Sequence, residues 1–253
     1  MLKDFSENKF DVIVLAGQSN AEGYGFGPVE DPYQPDGRVW YLNPDMTVVP
    51  AAEKVTGNEI QSNFGLSFAR EYRNGGCLAD DRDLLILRCA VGGTGFSDKR
   101  WGLADDLYLR MLEMIRTALE LNPENRLKAF LWHQGETDAC AEMGHDEYFS
   151  NLMTLIRSVR EEFGVPCLPF IAGDFVQHWK NDNIGISAPV ADAVRDVCAA
   201  CGFGAFVETD GLLSNRQELN RNPLGWLDTI HFSRKAVYEL GRRYYEAYRS
   251  GVN

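Results

Sequence analysis

Residues 10–20 read Phe10-Asp-Val-Ile-Val-Leu-Ala-Gly-Gln-Ser-Asn20. Residues 12–16 are apolar without interruption, the pattern of a strand buried on both faces in the middle of a parallel sheet. The run stops at Gly17-Gln18-Ser19-Asn20. Small and polar residues at the carboxyl end of such a strand lie where open α/β sheets bind their ligands. Ser19 is therefore expected at the rim of the sheet as a candidate nucleophile. Gly, Ser and Asn also form ordinary turns, so the reading depends on whether a base and oxyanion donors stand at neighbouring strand ends.

Four more apolar strand patterns follow, at residues 83–90, 127–132, 166–172 and 204–208. Helical patterns separate them, at residues 63–72, 105–121, 147–163 and 189–201, and a last helix capped by Ser233 runs to Tyr248. Alternation of strand and helix implies an α/β fold with a five-stranded parallel sheet covered by helices on both faces. Residues 21–58 are rich in Gly and Pro, with short strand-like runs at 38–42 and 47–49. A connection of that length is often functional, and Tyr24, Phe26 and Trp40 are candidates to wall a site. No repeat, low-complexity tract or linker divides the 253 residues, so residues 1–253 read as one domain.

Composition narrows the class. The formal net charge is −12 and the pI about 4.8, which argues against nucleic acid and anionic membrane as partners. No apolar stretch has the length of a signal-peptide core or a membrane span, so the expected location is cytoplasmic. The six cysteines fit structural thiols in a reduced protein, Cys198 and Cys201 included despite their redox-motif spacing.

A serine nucleophile needs a base, and the chain has four histidines. His145 and His178 read as capping or surface residues. His133 stands at a strand end. His231 is better placed, because Asp228 precedes it by three residues on the approach to the last helix. An aspartate there can fix the tautomer that leaves Nε2 free to take the serine proton. Glu136 is an alternative acidic partner, or a support residue acting through hydrogen bonds, as is Gln18. Oxyanion donors are available at three strand ends: the Ser19 amide, the backbone at Gly92 or Gly93, and the Gln134 side chain.

The blocks GQSN at 17–20, AVGGT at 90–94, WHQGETD at 132–138 and DTIHFS at 228–233 resemble, in that order, the SGNH-hydrolase superfamily. The closest similarity is to its sialate O-acetylesterase-like branch, which includes the acetylxylan esterases of carbohydrate esterase family six. The resemblance implies a flavodoxin-like three-layer α/β/α sandwich and removal of O-acetyl groups from a small acetylated sugar or oligosaccharide. It implies Ser19 as nucleophile, His231 as base and Asp228 as its partner. The implied oxyanion hole comprises Ser19, a glycine of the 92–93 pair and Gln134. Neither a metal nor a cofactor is implied.

Other functions are compatible with parts of the pattern. The same scaffold could carry a lipase, thioesterase or acyltransferase. A non-catalytic sugar-binding module would use Trp40, Trp101, Trp179 or Trp226 as stacking platforms. A metallohydrolase would use His133, Glu136 and His231. A histidine base predicts loss of activity as the imidazole protonates, roughly below pH 6.5 for an ordinary histidine.

Overall fold

Residues 10–17 form strand β1 (Phe10–Gly17), buried along its whole length. Burial on alternate sides of a pleated strand requires cover on both faces of the sheet. The computed structural model describes residues 5–219 and 227–251. After β1 comes a short helix, α1 (Ser19–Glu22), then β2 (Val39–Leu42), β3 (Val48–Pro50), the hairpin β4 (Lys54–Thr56) and β5 (Glu59–Gln61), and α2 (Phe64–Asn74). The middle of the chain is β6 (Asp83–Arg88), α3 (Asp106–Glu120), β7 (Arg126–His133), α4 (Glu136–Cys140) and α5 (His145–Glu162). It continues as β8 (Phe170–Gly173), α6 (Gln177–Asp182), α7 (Ile184–Ala200), β9 (Gly204–Val207), α8 (Asn215–Leu219) and α9 (Arg234–Gly251).

The central sheet has seven strands in the order β3-β2-β6-β1-β7-β8-β9, and β3 alone runs antiparallel. The five expected strands are present. The sixth parallel strand is β2 and the antiparallel edge is β3, both within the passage whose Gly and Pro content reads as loop. Their 38–42 and 47–49 runs gain strand structure by pairing with β6 and with each other. The polar hairpin β4–β5 turns at Gly57, φ +61°.

Helix α7 starts five residues before the expected Pro189. The carbonyl that this proline leaves without a donor belongs to Gly185, an exposed residue that water can reach. Strand β8 begins at Phe170, later than expected, because Pro166 and Pro169 have no N–H to donate to a ladder. Helix α2 packs on α9, and α5 on α7.

Strand order reverses at β1. The chain returns through β6 on one side of it and continues through β7 on the other. The carboxyl ends of these three strands meet at this switch point, the usual ligand crevice of an open α/β sheet. At the opposite end of β1 a buried ion pair closes the sheet. Arg82 Nε donates to Asp11 Oδ1 at 2.6 Å, its Nη2 to Phe10 O at 2.6 Å, and Tyr72 OH to Asp11 Oδ2 at 2.8 Å.

Gly17 ends β1 at φ +123°, and a Cβ there would stand 2.1 Å from the carbonyl oxygen of His133. Gly17→Ala combines a disfavoured backbone with a backbone clash. It is expected to cost at least about 2 kcal/mol of unfolding free energy, measurable by urea denaturation.

Candidate active site

Ser19 is the first residue of α1, reached through the tight exit from β1 that Gly17 permits. The Gln18 amide donates to His133 O at 2.9 Å, holding this exit on the end of β7. Ser19 Oγ lies 2.8 Å from His231 Nε2, although 212 positions separate the two residues. His231 Nδ1 lies 2.9 Å from Asp228 Oδ1. The carboxylate can only accept, so Nδ1 carries the proton and Nε2 is left to accept from the serine hydroxyl. Asp228 Oδ1 also accepts from the His231 amide at 3.1 Å, and Oδ2 accepts from Asn215 Nδ2 at 2.8 Å. Asp228 is therefore buried with both oxygens partnered. An imidazole in this arrangement can withdraw a hydroxyl proton and hold the charge that results.

The segment carrying His231 is fixed from two sides. Helix α8 supplies main-chain support from one side: the Asn215 amide donates to His231 O at 2.9 Å, and the Arg216 amide to Asp228 O at 2.9 Å. Asn20 holds both flanks, donating to Ile230 O at 3.0 Å and accepting from the Phe232 amide at 3.1 Å. Tyr24 stacks on the imidazole, with ring centroids 5.0 Å apart and planes 22° from parallel. Burial, aided by the neighbouring Glu22 charge, raises its phenol pKa.

A cavity of about 500 Å3 opens over Ser19 and His231, bounded also by Gln18, Gly92, Gly93 and Glu136. Gly92 sits beside the nucleophile, where a Cβ would be 3.5 Å from that of Ser19, but its amide donates to Glu22 Oε2 at 2.6 Å. Gly93, at φ +68°, has no acceptor for its amide among the described residues.

Gln134 does not line the cavity. It is buried, and its Nε2 donates to Asp138 Oδ2 at 2.7 Å, Thr94 O at 3.1 Å and Gln18 Oε1 at 3.3 Å. Its Oε1 accepts from Tyr148 OH at 2.9 Å. The donor expected from the third strand end is therefore spent inside the protein. Gln18 has the complementary arrangement. Its Oε1 also accepts from the Thr137 amide at 3.2 Å, while its Nε2 has no acceptor among the described residues.

Glu136 is not the partner of His231. Its Oε1 accepts from Asn20 Nδ2 at 2.8 Å, and its buried Oε2 has no partner among the described residues. Burial pushes this carboxyl up to about 6. His133 lies in the core, with Nδ1 2.9 Å from Tyr244 OH. Tyr244 OH donates to Trp132 O at 2.8 Å, so Nδ1 carries the His133 proton, and Nε2 is bare and unpartnered. Burial pulls the His133 pKa down to about 3, which removes it as a base near neutral pH. His133, Glu136 and His231 do not converge, and the described residues contain no group of three or more His, Cys, Asp or Glu side chains that could hold a metal.

A family model described as SASA, "carbohydrate esterase, sialic acid-specific acetylesterase", matches residues 9–250. The chain belongs to this family. As a SASA carbohydrate esterase it is a carboxylic ester hydrolase with an SGNH-like fold. It is 25% identical to a probable carbohydrate esterase of Arabidopsis thaliana, over 94% of this chain and 90% of that one. It is 24% identical to a probable 9-O-acetyl-N-acetylneuraminic acid deacetylase of Escherichia coli K12, over 70% of each. The crystal structure of NanS matches with a TM-score of 0.80 and 21% identity, over 97% of this chain and 98% of that one.

Within this SASA member, Trp40, Trp101 and Trp179 are buried and offer no stacking platform. The platform expected of Trp226 falls outside the described residues. Of the three candidate walls only Tyr24 lines the cavity, since Phe26 and Trp40 are core. His145 pairs with Asp146 and Asp196 at the surface, and His178 with Ser214. All six cysteines are free thiols, and burial pushes Cys89 and Cys198 up to about 12. No described helix is long and apolar enough to cross a membrane. Asn20 and Asn215 were absent from the expected site. Asn20 had a signal in its place beside Ser19, whereas Asn215 lies in a polar stretch that reads as loop.

His133 has a consequence for stability. Its folded pKa lies below the ordinary histidine value, so below about pH 6.5 the unfolded chain binds a proton that the folded one does not. Unfolding free energy should fall with pH between about 6.5 and 3, by up to about 1.4 kcal/mol per pH unit from this residue. Urea titrations of wild type and His133→Gln across that range check it, the variant showing the shallower slope.

Proposed function

We propose that the protein removes O-acetyl groups from a small acetylated sugar or oligosaccharide by serine catalysis. The observation that carries this reading is the hydrogen-bonded chain from Ser19 Oγ through His231 to Asp228, open to a cavity in a member of a carbohydrate esterase family.

Ser19 Oγ attacks the acetyl carbonyl as His231 Nε2 takes its proton. The carbonyl π pair moves to oxygen, giving a tetrahedral oxyanion. Collapse of that intermediate expels the sugar alkoxide, which receives the proton from His231, and leaves an acetyl-serine. Water, deprotonated by His231, then attacks the acetyl carbonyl; collapse of this second tetrahedral intermediate breaks the bond to Ser19 Oγ, which takes the proton back from His231, and acetic acid leaves, ionising to acetate. Asp228 holds the imidazole in the required tautomer throughout. The Ser19 amide, the Gly93 amide and Gln18 Nε2 supply the oxyanion hole. The roles expected for Gln134 pass to Gln18, because the Gln134 amide group is consumed by Asp138, Thr94 and Tyr148. Gln134 instead anchors the Gln18 carbonyl.

Acetate release from p-nitrophenyl acetate and from O-acetylated sugars tests the reading. Ser19→Ala is expected to fold normally and to lose at least about 1,000-fold in kcat, with wild-type activity unaffected by chelator. A folded Ser19→Ala at wild-type rate would refute it. Gln18→Glu keeps the acceptor oxygen that holds the Thr137 amide and replaces the donor by an oxygen. It should lower kcat by about 100-fold with little change in KM, as loss of one oxyanion donor does.

A further inference from the structure

A second cavity, of about 230 Å3, adjoins the active-site cavity at Tyr24, which lines both. Tyr24 is the residue stacked on the His231 ring. The second cavity is bounded by the end of α1, by residues of β2 to β5 and by Arg88, the last residue of β6. The reaction above gives it no role. We propose, building on the serine-esterase reading, that this cavity is a substrate subsite that seats a carboxylate-bearing sugar unit, Arg88 holding the carboxylate and Gln61 a ring hydroxyl while the acetyl ester lies at Ser19.

Gln61 ends β5 and is only 7% exposed. Its side-chain amide makes no hydrogen bond among the described residues, and neither of its polar atoms is sealed from solvent. The other amides on this wall are used. Asn43 Nδ2 donates to Thr47 Oγ1 at 3.1 Å, and its Oδ1 accepts from Arg88 Nη1 at 3.2 Å. Asn63 Oδ1 accepts from the Leu66 amide at 3.3 Å, and its Nδ2 donates to Tyr41 OH at 3.1 Å. Buried side-chain amides are normally satisfied. Gln61 keeps a donor and an acceptor open side by side, and a sugar hydroxyl, itself donor and acceptor, complements that pair.

Arg88 supplies the charge. Its guanidinium lies over the Tyr41 ring, 5.1 Å from the centroid, and uses Nη1 on Asn43. Nε and Nη2 have no partner among the described residues, and no carboxylate there forms an ion pair with Arg88. With the same two nitrogens Arg234 holds Glu53, at 2.8 and 2.6 Å. This parallel pair of donors matches a planar carboxylate. The rest of the wall leaves a positive balance. Arg234 neutralises Glu53, and Glu22 gives Oε2 to the Gly92 amide. Lys54, which is exposed, has no ion pair among the described residues, so Arg88 and Lys54 outnumber Glu22. A positive wall in a chain of formal charge −12 favours an anionic ligand.

The test uses ester pairs that differ in the carboxylate: O-acetylated glucose against O-acetylated glucuronic acid, and O-acetylated xylobiose without and with a glucuronic acid branch. The first pair puts the carboxylate on the acetylated unit and the second on the adjoining one, so the pair that shows a preference tells which unit enters the cavity. Wild type is expected to favour the acidic member of one pair by at least about tenfold in kcat/KM, mostly through KM. Arg88→Gln should abolish that preference. Gln61→Leu should raise KM about threefold for both members of the pair. Rates are expressed relative to p-nitrophenyl acetate for the same variant, and thermal unfolding confirms that each variant is folded. Equal rates within both pairs in wild type, or an acid preference that survives in folded Arg88→Gln, would overturn the proposal. Binding is also read without turnover. Added glucuronate should shift the Gln61 side-chain amide and Arg88 Nε–H signals in NMR spectra of wild type and Ser19→Ala alike, and unmoved signals would overturn the subsite. This readout needs neither a folded Arg88 variant nor a catalytic serine, so it decides the cavity even if Ser19→Ala refutes the esterase reading.

Discussion

The end of β1 lies against the end of β7 because residue 17 has no side chain. The position that a Cβ would occupy is taken by the His133 carbonyl, 2.1 Å away. That contact lets the chain leave the sheet abruptly and enter α1 with the serine at its first residue. It also brings residues 134–138 alongside residues 18–20, so the two strand ends share one set of hydrogen bonds. Gln18 spans the gap to the Thr137 amide, and Asn20 spans it to Glu136. A comparable contact holds the next strand end: Gly173 leaves room for Tyr244 OH, which a Cβ would approach to 2.7 Å.

Three buried carboxyl groups surround this junction, and hydrogen-bond supply distinguishes them. Asp228 has three N–H donors, from His231 twice and Asn215 once. Asp138 also has three, the Phe96 and Ser97 amides and Gln134 Nε2, and it ties the 94–97 turn to α4. Glu136 has one donor from elsewhere in the chain, Asn20 on Oε1, and its Oε2 has no partner among the described residues. Donors to the ionised form offset its loss of hydration. The two aspartates are thus fully partnered, whereas burial pushes the Glu136 carboxyl up to about 6.

The core strands were legible in the sequence because burial on both faces leaves no polar interruption, as in residues 12–16 and 84–87. The strands β2 and β3 were marked as short runs but not placed in the sheet, since only pairing with β6 makes them part of it. The spacing of Asp228 and His231 was readable because it is local. The choice between Gln18 and Gln134 was not, because both stand at strand ends and only the position of Asp138 and Tyr148 decides which amide is consumed. Asn215 was invisible for a similar reason: its contacts reach to Tyr24 O and Phe26 N, about 190 positions away. Long-range hydrogen bonding leaves no periodic trace in a sequence.

The separation of Ser19 from His231 has a consequence for the protein's synthesis. A ribosome delivers the serine early and the histidine 212 residues later. The intervening sheet must form, and α9 must dock on α2, before the hydroxyl meets a base. Pairings across so many residues form late and slowly compared with local ones. Under the proposed serine mechanism a half-made chain carries a serine without its base, and ester turnover then reports on whether folding has reached its end.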